Sequence, residues 1–278
     1  MVRIITDSST LYTVEEAREA GFEAVPLCVS IGDWHGRDLQ MDMELFYRKI
    51  AEGGVPTSSQ PPIGDVLELY EKYAGEEIIN ISMADGLSGT YQSACSARNM
   101  AKNKEDITVF NSRTLCGPHR YMAEQAQRMA EAGSTKADIL AWLAAAADRT
   151  ESFLIAQDFS FLKRGGRLTP VAAAIGGLLK LKPIVKLTPD GEKLDKFGVK
   201  RTMSSAVASI GRYLEEKKLG EKHLMYIVHA DAREDALAVR KLFAELFVGM
   251  ETQILELSPV FVTQGGPRCV AMQYIEKI

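Results

Sequence analysis

A run of about twenty apolar residues, enough to cross a bilayer as a helix, is missing from this 278-residue chain. The candidate stretch "VAAAIGGLL" at 171–179 ends after nine residues at Lys180. The opening "MVRIITDSST" has no basic flank followed by a long apolar segment, so no signal peptide is expected. Cysteine is scarce: Cys28, Cys95, Cys116 and Cys269 form no C-x-x-C pair and have no histidine at ligand spacing. That argues for a reduced, cytosolic protein and against a zinc site. A phosphate-binding loop is also missing, because "DGLSGT" has no lysine after its glycine.

What is present fits a soluble globular protein. Hydrophobic residues make up 46% and charged residues 25% of the chain, ample for a core. The length suits one large domain or two ordinary ones. A net charge of −4 gives no sign of nucleic-acid binding. The charge is uneven, however: residues 161–220 hold 13 Lys or Arg against 5 Asp or Glu, leaving −12 for the rest. Such a basic stretch fits an acidic protein or an anionic membrane surface, or simply a solvated hairpin in which Lys193, Lys196 and Lys200 alternate outward.

Short β-branched runs alternate with helical patterns through the first half. "VRIIT", "EAVPLCVSI", "EEIINISM" and "DITVFNS" read as strands, separated by helices such as "MELFYRKIAEGG", "IGDVLELYEKYAG" and "GTYQSACSARNMAKN". That alternation predicts a parallel sheet covered on both faces. After the Ala-rich helix "TKADILAWLAAAADRT" the texture changes. "LKRGGRLTP" reads as a turn into a small-residue helix at 171–179, and Asp190-Gly191 centres a hairpin. Helices at 204–218 and 233–247 and strands at "HLMYIVHA", 252–257 and 269–275 follow. The expectation is a two-domain α/β fold: an N-terminal parallel-sheet domain over 1–150 and a C-terminal mixed-sheet α/β domain over 151–278.

Ligands in open α/β sheets sit beyond the carboxyl ends of the strands. Three segments expected there are rich in hydroxyls: "TDSST" (6–10), "PTSSQP" (56–61) and "DGLSGT" (85–90). Ser88 is placed to cap a helix beginning at Gly89, where free N–H groups favour a negative group. A plain cap and a polar turn remain open for Ser88 and for Ser58–Ser59. Neither 56–61 nor 85–90 carries Lys or Arg, so a singly charged carboxylate suits them. Enzyme patterns fall short. "GLSGT" has Thr90 where the G-x-S-x-G elbow needs glycine, and Asp7 lacks a second carboxylate two residues on. A serine hydrolase using Ser88 with His223 or His229 stays as the alternative.

"IITDSS", "AVPLCVSIGD", "PTSSQPP", "GLSGTYQSA", "FLKRGGRLTP" with "LLKLKPIVKL", and "GGPRCVAMQY" together resemble the ordered landmarks of the DegV family, from the first residues to the last strand. The resemblance implies a two-domain protein that binds a long-chain fatty acid, its carboxylate at the domain interface and its acyl chain in an apolar tunnel. It implies no cofactor and no free-standing enzyme. The implied partner is the catalytic subunit of a fatty acid kinase, which phosphorylates the carried acid. By the same resemblance Ser58 and Ser88 hold the head group, with Thr57, Ser59 and Gly89 beside them. Near the C-terminus Gln264 stands where the family commonly has histidine, and Arg268 where it often has glycine. Gln264 can donate to a carboxylate but carries no positive charge. That departure keeps open a third reading, a partner module without lipid. Ile175, Leu178 and Leu179 are expected in the tunnel wall, where tight helix packing is the alternative. Arg167 and Arg201 are candidates for docking the partner or a membrane surface.

Overall fold

The computed structural model describes residues 2–175 and 181–278. Two compact units divide the chain, Met1–Asp148 and Arg149–Ile278.

The first unit is built on a four-stranded sheet. Its strands are β1 (Val2–Asp7), β2 (Glu23–Val25), β6 (Glu77–Ser82) and β7 (Ile107–Asn111), in the order β2-β1-β6-β7 and all parallel. The two central strands are buried on both faces, which is why "IIT" and "IINIS" read as unbroken apolar runs. On one face lie α3 (Ile63–Lys72) and α4 (Thr90–Met100), where Val66, Tyr70, Ala94 and Ala97 pack against Ile5, Ile78 and Ile107. The polar break in β6, Asn80, is buried but satisfied by a 2.8 Å hydrogen bond to the Tyr70 hydroxyl. The other helices are α1 (Val14–Glu19), α2 (Met43–Ala51), α5 (Cys116–Glu131) and α6 (Lys136–Ala147). Capping boxes at Thr13 and Thr135 start α1 and α6, each worth about 1 kcal/mol.

A second, smaller sheet was not expected. "EAVPLCVSI" is not one strand: it breaks at Pro26, which has no N–H to continue the ladder. β2 stays in the parallel sheet, while β3 (Cys28–Ile31) pairs antiparallel with β4 (Trp34–Arg37) and β5 (Pro56–Ser59). The "PTSS" stretch is therefore a strand rather than a loop.

The second unit has one mixed six-stranded sheet, ordered β10-β9-β8-β13-β11-β12. Its strands are β8 (Thr150–Ile155), β9 (Lys182–Leu187), β10 (Leu194–Lys200), β11 (His223–His229), β12 (Glu251–Glu256) and β13 (Val270–Glu276). Only β11 and β12 run parallel. Gly191, at a φ of 74°, turns the chain between β9 and β10 as the Asp-Gly pair predicted. α9 (Met203–Glu216) and α10 (Arg233–Leu246) bury Ile210, Leu214, Val239 and Phe243 with Phe153, Ile227 and Met272 of the sheet. α7 (Phe159–Gly165), α8 (Pro170–Ala173) and α11 (Pro259–Gly265) complete the unit, Leu162 and Ala172 packing with Val185.

Two helices here were not foreseen. "FSFLKRG" is helical to Gly165, and only from Gly166, at a φ of 71°, does the chain turn. α11 is the other. The expected helix over 171–179 appears as the single turn Pro170–Ala173, with Ile175 buried beyond it. Leu178 and Leu179 lie outside the described residues. No helix among the described residues is long and apolar enough to cross a membrane.

Candidate functional site

The order β2-β1-β6-β7 reverses direction between β1 and β6. The chain leaves β1 toward one edge of the sheet and returns to lay β6 on its other side. Loops after the two strands diverge there, and the carboxyl ends at such a switch point are the usual ligand position in sheets of this kind.

The loop after β1 is closed on itself. Ser8, Ser9 and Thr10 form a tight turn with almost no exposure. Asp7, also buried, accepts from Ser9 N–H through Oδ1 (2.9 Å) and from Met83 N–H through Oδ2 (2.9 Å), tying the ends of β1 and β6. The Ser8 hydroxyl donates to buried Asp38 at 2.7 Å and accepts from Leu27 N–H. The Thr10 hydroxyl donates to the Asp7 carbonyl. Beneath this turn lies His119 of α5, fully buried, with Nε2 3.0 Å from the Ile81 carbonyl and Nδ1 2.7 Å from the Ser9 hydroxyl. Burial drives its pKa below the ordinary 6.5, against the opposing field of Asp7. His119 was not among the expected site residues, since neither a strand end nor a hydroxyl-rich loop marks its position in the chain.

The loop after β6 opens outward. Its start is pinned by Ala84 N–H to the Thr114 carbonyl at 2.9 Å and by Asp85 N–H to the Asn111 side chain. A tight turn over Asp85–Leu87 then delivers Ser88. Ser88 is not the helix cap expected of it. α4 begins at Thr90, Gly89 occupies the cap position, and Ser88 stands one residue earlier in extended conformation. Its hydroxyl lies 2.8 Å from the Thr90 hydroxyl and accepts weakly from Thr90 N–H at 3.3 Å. It forms no hydrogen bond with a histidine among the described residues. The rings of His223 and His229 each accept a backbone N–H through Nδ1, from Gly220 and Ala232.

β5 sorts its three hydroxyls by the alternation of a strand. Thr57 and Ser59 face outward and are exposed, while Ser58 between them is half-buried and registers against Val29. The chain then runs into α4: the Ser93 hydroxyl donates to the Pro61 carbonyl at 3.2 Å, and Gln60 lies against Gly89. A Cβ on Gly89 would sit 3.4 Å from Gln60 Oε1, an ordinary van der Waals contact, so the two segments are neighbours without requiring glycine there. The structure thus brings the Ser58 segment and the Ser88–Gly89 segment together within the first unit.

The remaining predicted residues belong to the second unit. Gln264, half-buried near the end of α11, has its side chain against Gly165 of α7, where a Cβ would collide with Oε1. Gly265 and Gly266 similarly make room for Cys269 Sγ and the Phe161 ring. The "KRGG" and "QGG" runs therefore meet as the contact between α7 and α11. Arg167 is half-buried and donates to the Gly165 carbonyl; Arg201 is exposed between β10 and α9. Arg268 is exposed, donating to the Asp231 carbonyl and pairing with Asp235 at 3.4 Å.

The family model described as uncharacterised protein, DegV family, matches residues 1–277. The chain belongs to the DegV family. Protein DegV of Bacillus subtilis is 31% identical over 245 residues, 86% of each chain. DegV domain-containing protein BH3627 of Halalkalibacterium halodurans is 29% identical over 99% of each. The crystal structure of Bacillus subtilis DegV, described as a fatty acid binding protein, matches with a TM-score of 0.86 at 28% identity, over 99% of each chain. A DegV family protein of Thermus thermophilus, described by its fatty acid binding, gives 0.87 at 25% over 99% of each. The α/β architecture, with a parallel sheet and a small antiparallel sheet in the first unit and a mixed sheet in the second, is the DegV fold.

Proposed function

We propose that this protein binds a long-chain fatty acid non-covalently, with Ser58 and Ser88 holding the carboxylate. One observation carries the reading. Two hydroxyl segments free of Lys and Arg meet at the switch point of a parallel sheet, where Gln60 lies on Gly89. Neutral hydroxyls suit a single carboxylate leaving water, since each charge-assisted hydrogen bond offsets part of its lost hydration. The backbone at Gly89, at the start of α4, adds the favourable end of the helix dipole. The fatty acids bound by DegV relatives support the ligand class. Burial of the acyl chain, at about 0.8 kcal/mol per methylene, supplies most of the affinity, and the hydroxyls set orientation. Thr57 and Ser59, on the other face of β5, contribute through the strand's backbone.

The protein acts as a carrier and not as a catalyst. It presents the acid to the catalytic subunit of a fatty acid kinase, and Arg167 and Arg201 of the basic second unit dock that acidic partner or an anionic membrane surface. Its four cysteines, with no disulfide among the described residues, suit a reduced cytoplasm.

The test is mass spectrometry of small molecules released on denaturing the purified protein, with Ser88→Ala in parallel. A stoichiometric fatty acid in the wild type, depleted about ten-fold or more in the variant, is expected from loss of one hydrogen bond to a charged group. Finding no lipid in the wild type, even after incubation with a panel of fatty acids, overturns the reading.

A further inference from the structure

His119 is a buried titratable group that the head-group site, as described, does not use. Its ring joins three pieces of chain that converge on the switch point: the turn after β1, the end of β6 and the start of α5. The Ile81 carbonyl can only accept, so the proton of a neutral ring resides on Nε2. The Thr6 hydroxyl donates to the same carbonyl at 2.9 Å and lies 3.1 Å from Nε2, where its oxygen shares that proton. Nδ1 is then an acceptor, and the Ser9 hydroxyl donates to it. Ser9 N–H in turn donates to Asp7, whose other oxygen accepts from Met83 N–H. From Met83 the chain runs through the turn that ends in Ser88.

We propose that His119 is a positioning residue for the head-group site, a neutral imidazole that fixes the β6 turn carrying Ser88 by accepting the Ser9 hydroxyl and donating to Ile81. The proposal rests on the fatty-acid reading above and deepens it. A cationic ring would place a donor at Nδ1, so the Ser9 hydroxyl would have to change from donor to acceptor and find another partner for its own proton. Three features keep the ring neutral. It is 0% exposed, it sits near the amino end of a 16-residue helix, and both nitrogens are used. The facing groups are few. β1 presents Asp7, whose field favours the proton, and β6 presents the Ile81 carbonyl. On α5 itself the neighbouring Arg120 is directed to the Leu11 carbonyl, the Tyr12 ring and Glu124.

The experiment pairs ring nitrogen NMR with binding of cis-parinaric acid, a fluorescent fatty acid, by the full chain. The expected spectrum is a neutral ring protonated at Nε2, unchanged from about pH 7.5 to about pH 5.5, where a solvent-exposed histidine would titrate. His119→Asn restores an acceptor near the Nδ1 position and is expected to bind within about three-fold of wild type. His119→Leu removes the acceptor and is expected to bind about ten-fold more weakly, as is Ser9→Ala, which removes the donor from the other side. Should the leucine variant misfold by circular dichroism, Ser9→Ala carries the test. A ring protonated at Nδ1 or cationic near neutrality overturns the proposal. So does wild-type affinity in both the leucine and Ser9→Ala variants, or an asparagine variant as weak as leucine. Failure of the wild type to bind the probe overturns the fatty-acid reading itself, and the positioning role with it, while the ring spectrum still reports whether the clamp exists.

Discussion

Two hydroxyl-rich stretches of the first unit, "TDSST" and "PTSSQ", have nearly the same composition and opposite fates. In the first, Ser8, Ser9 and Thr10 are at most 1% exposed, and every hydroxyl is bonded within the protein. In the second, Thr57 and Ser59 are exposed and Ser58 half-buried. The difference comes from what surrounds them. A central strand flanked on both sides, with α5 beneath its end, leaves its loop nothing but protein to bond. An edge strand of a small antiparallel sheet leaves its side chains facing outward by turns. Hydroxyls in the buried turn are bonded to the protein itself; under the proposed function, it is the second stretch that meets the ligand.

Asp7→Ala breaks the buried side of this comparison most severely. It strips the acceptor from two buried N–H groups, those of Ser9 and Met83, and a loss of about 3 kcal/mol in urea unfolding is expected. A loss under about 1 kcal/mol would mean that water reaches the turn and that the two stretches are not so different.

Glu23 gives a second, smaller measure of a buried carboxylate, held by side chains instead of backbone. It lies on β2 beside β1 and receives Arg18, Lys72 and the Tyr73 hydroxyl. Burial pushes its pKa up, but these hydrogen bonds outweigh it and hold the carboxyl below the ordinary 4.5. Because the folded value is depressed, its stabilisation is fully present above the unfolded value and is lost as pH falls through the folded one. Glu23→Gln is expected to cost about 2 kcal/mol at neutral pH and progressively less in acid. A difference from wild type that stays constant down to about pH 3 would refute the assignment.

The strand–helix alternation made the parallel sheet and its helices legible in sequence, and Asp190-Gly191 marked its hairpin. What stayed hidden was decided by neighbours distant in the chain. Pro26 alone does not announce that Cys28–Ile31 leaves one sheet for another, since that depends on β4 and β5 being there to receive it. α7 escaped notice because Gly165-Gly166 read as a turn signal, and α11 because seven residues are too few to show a helical period. Glycines in fact let these two helices touch, Gly165 beneath Gln264 and Gly266 beneath Phe161. The hydroxyls of the site were visible as residue types, but which belong to the interior depends on His119, which lies 110 positions from Ser9.

The strand itself offers the finest test, since alanine at 57, 58 and 59 samples both faces of β5 in three consecutive residues. If alternation decides which hydroxyl meets the ligand, Ser58→Ala weakens fatty-acid binding by about ten-fold, the worth of one hydrogen bond to a charged group. Thr57→Ala and Ser59→Ala, outward and exposed, leave both binding and stability nearly unchanged, within about 0.5 kcal/mol. Titration of the three variants with one fluorescent fatty acid reads all the effects on one scale. Equal losses at all three would mean that β5 detaches from β3 when the ligand arrives and presents its hydroxyls as a loop. A loss confined to Thr57 or Ser59 would mean that the acid approaches the opposite face, leaving the contact between Gln60 and Gly89 as packing alone.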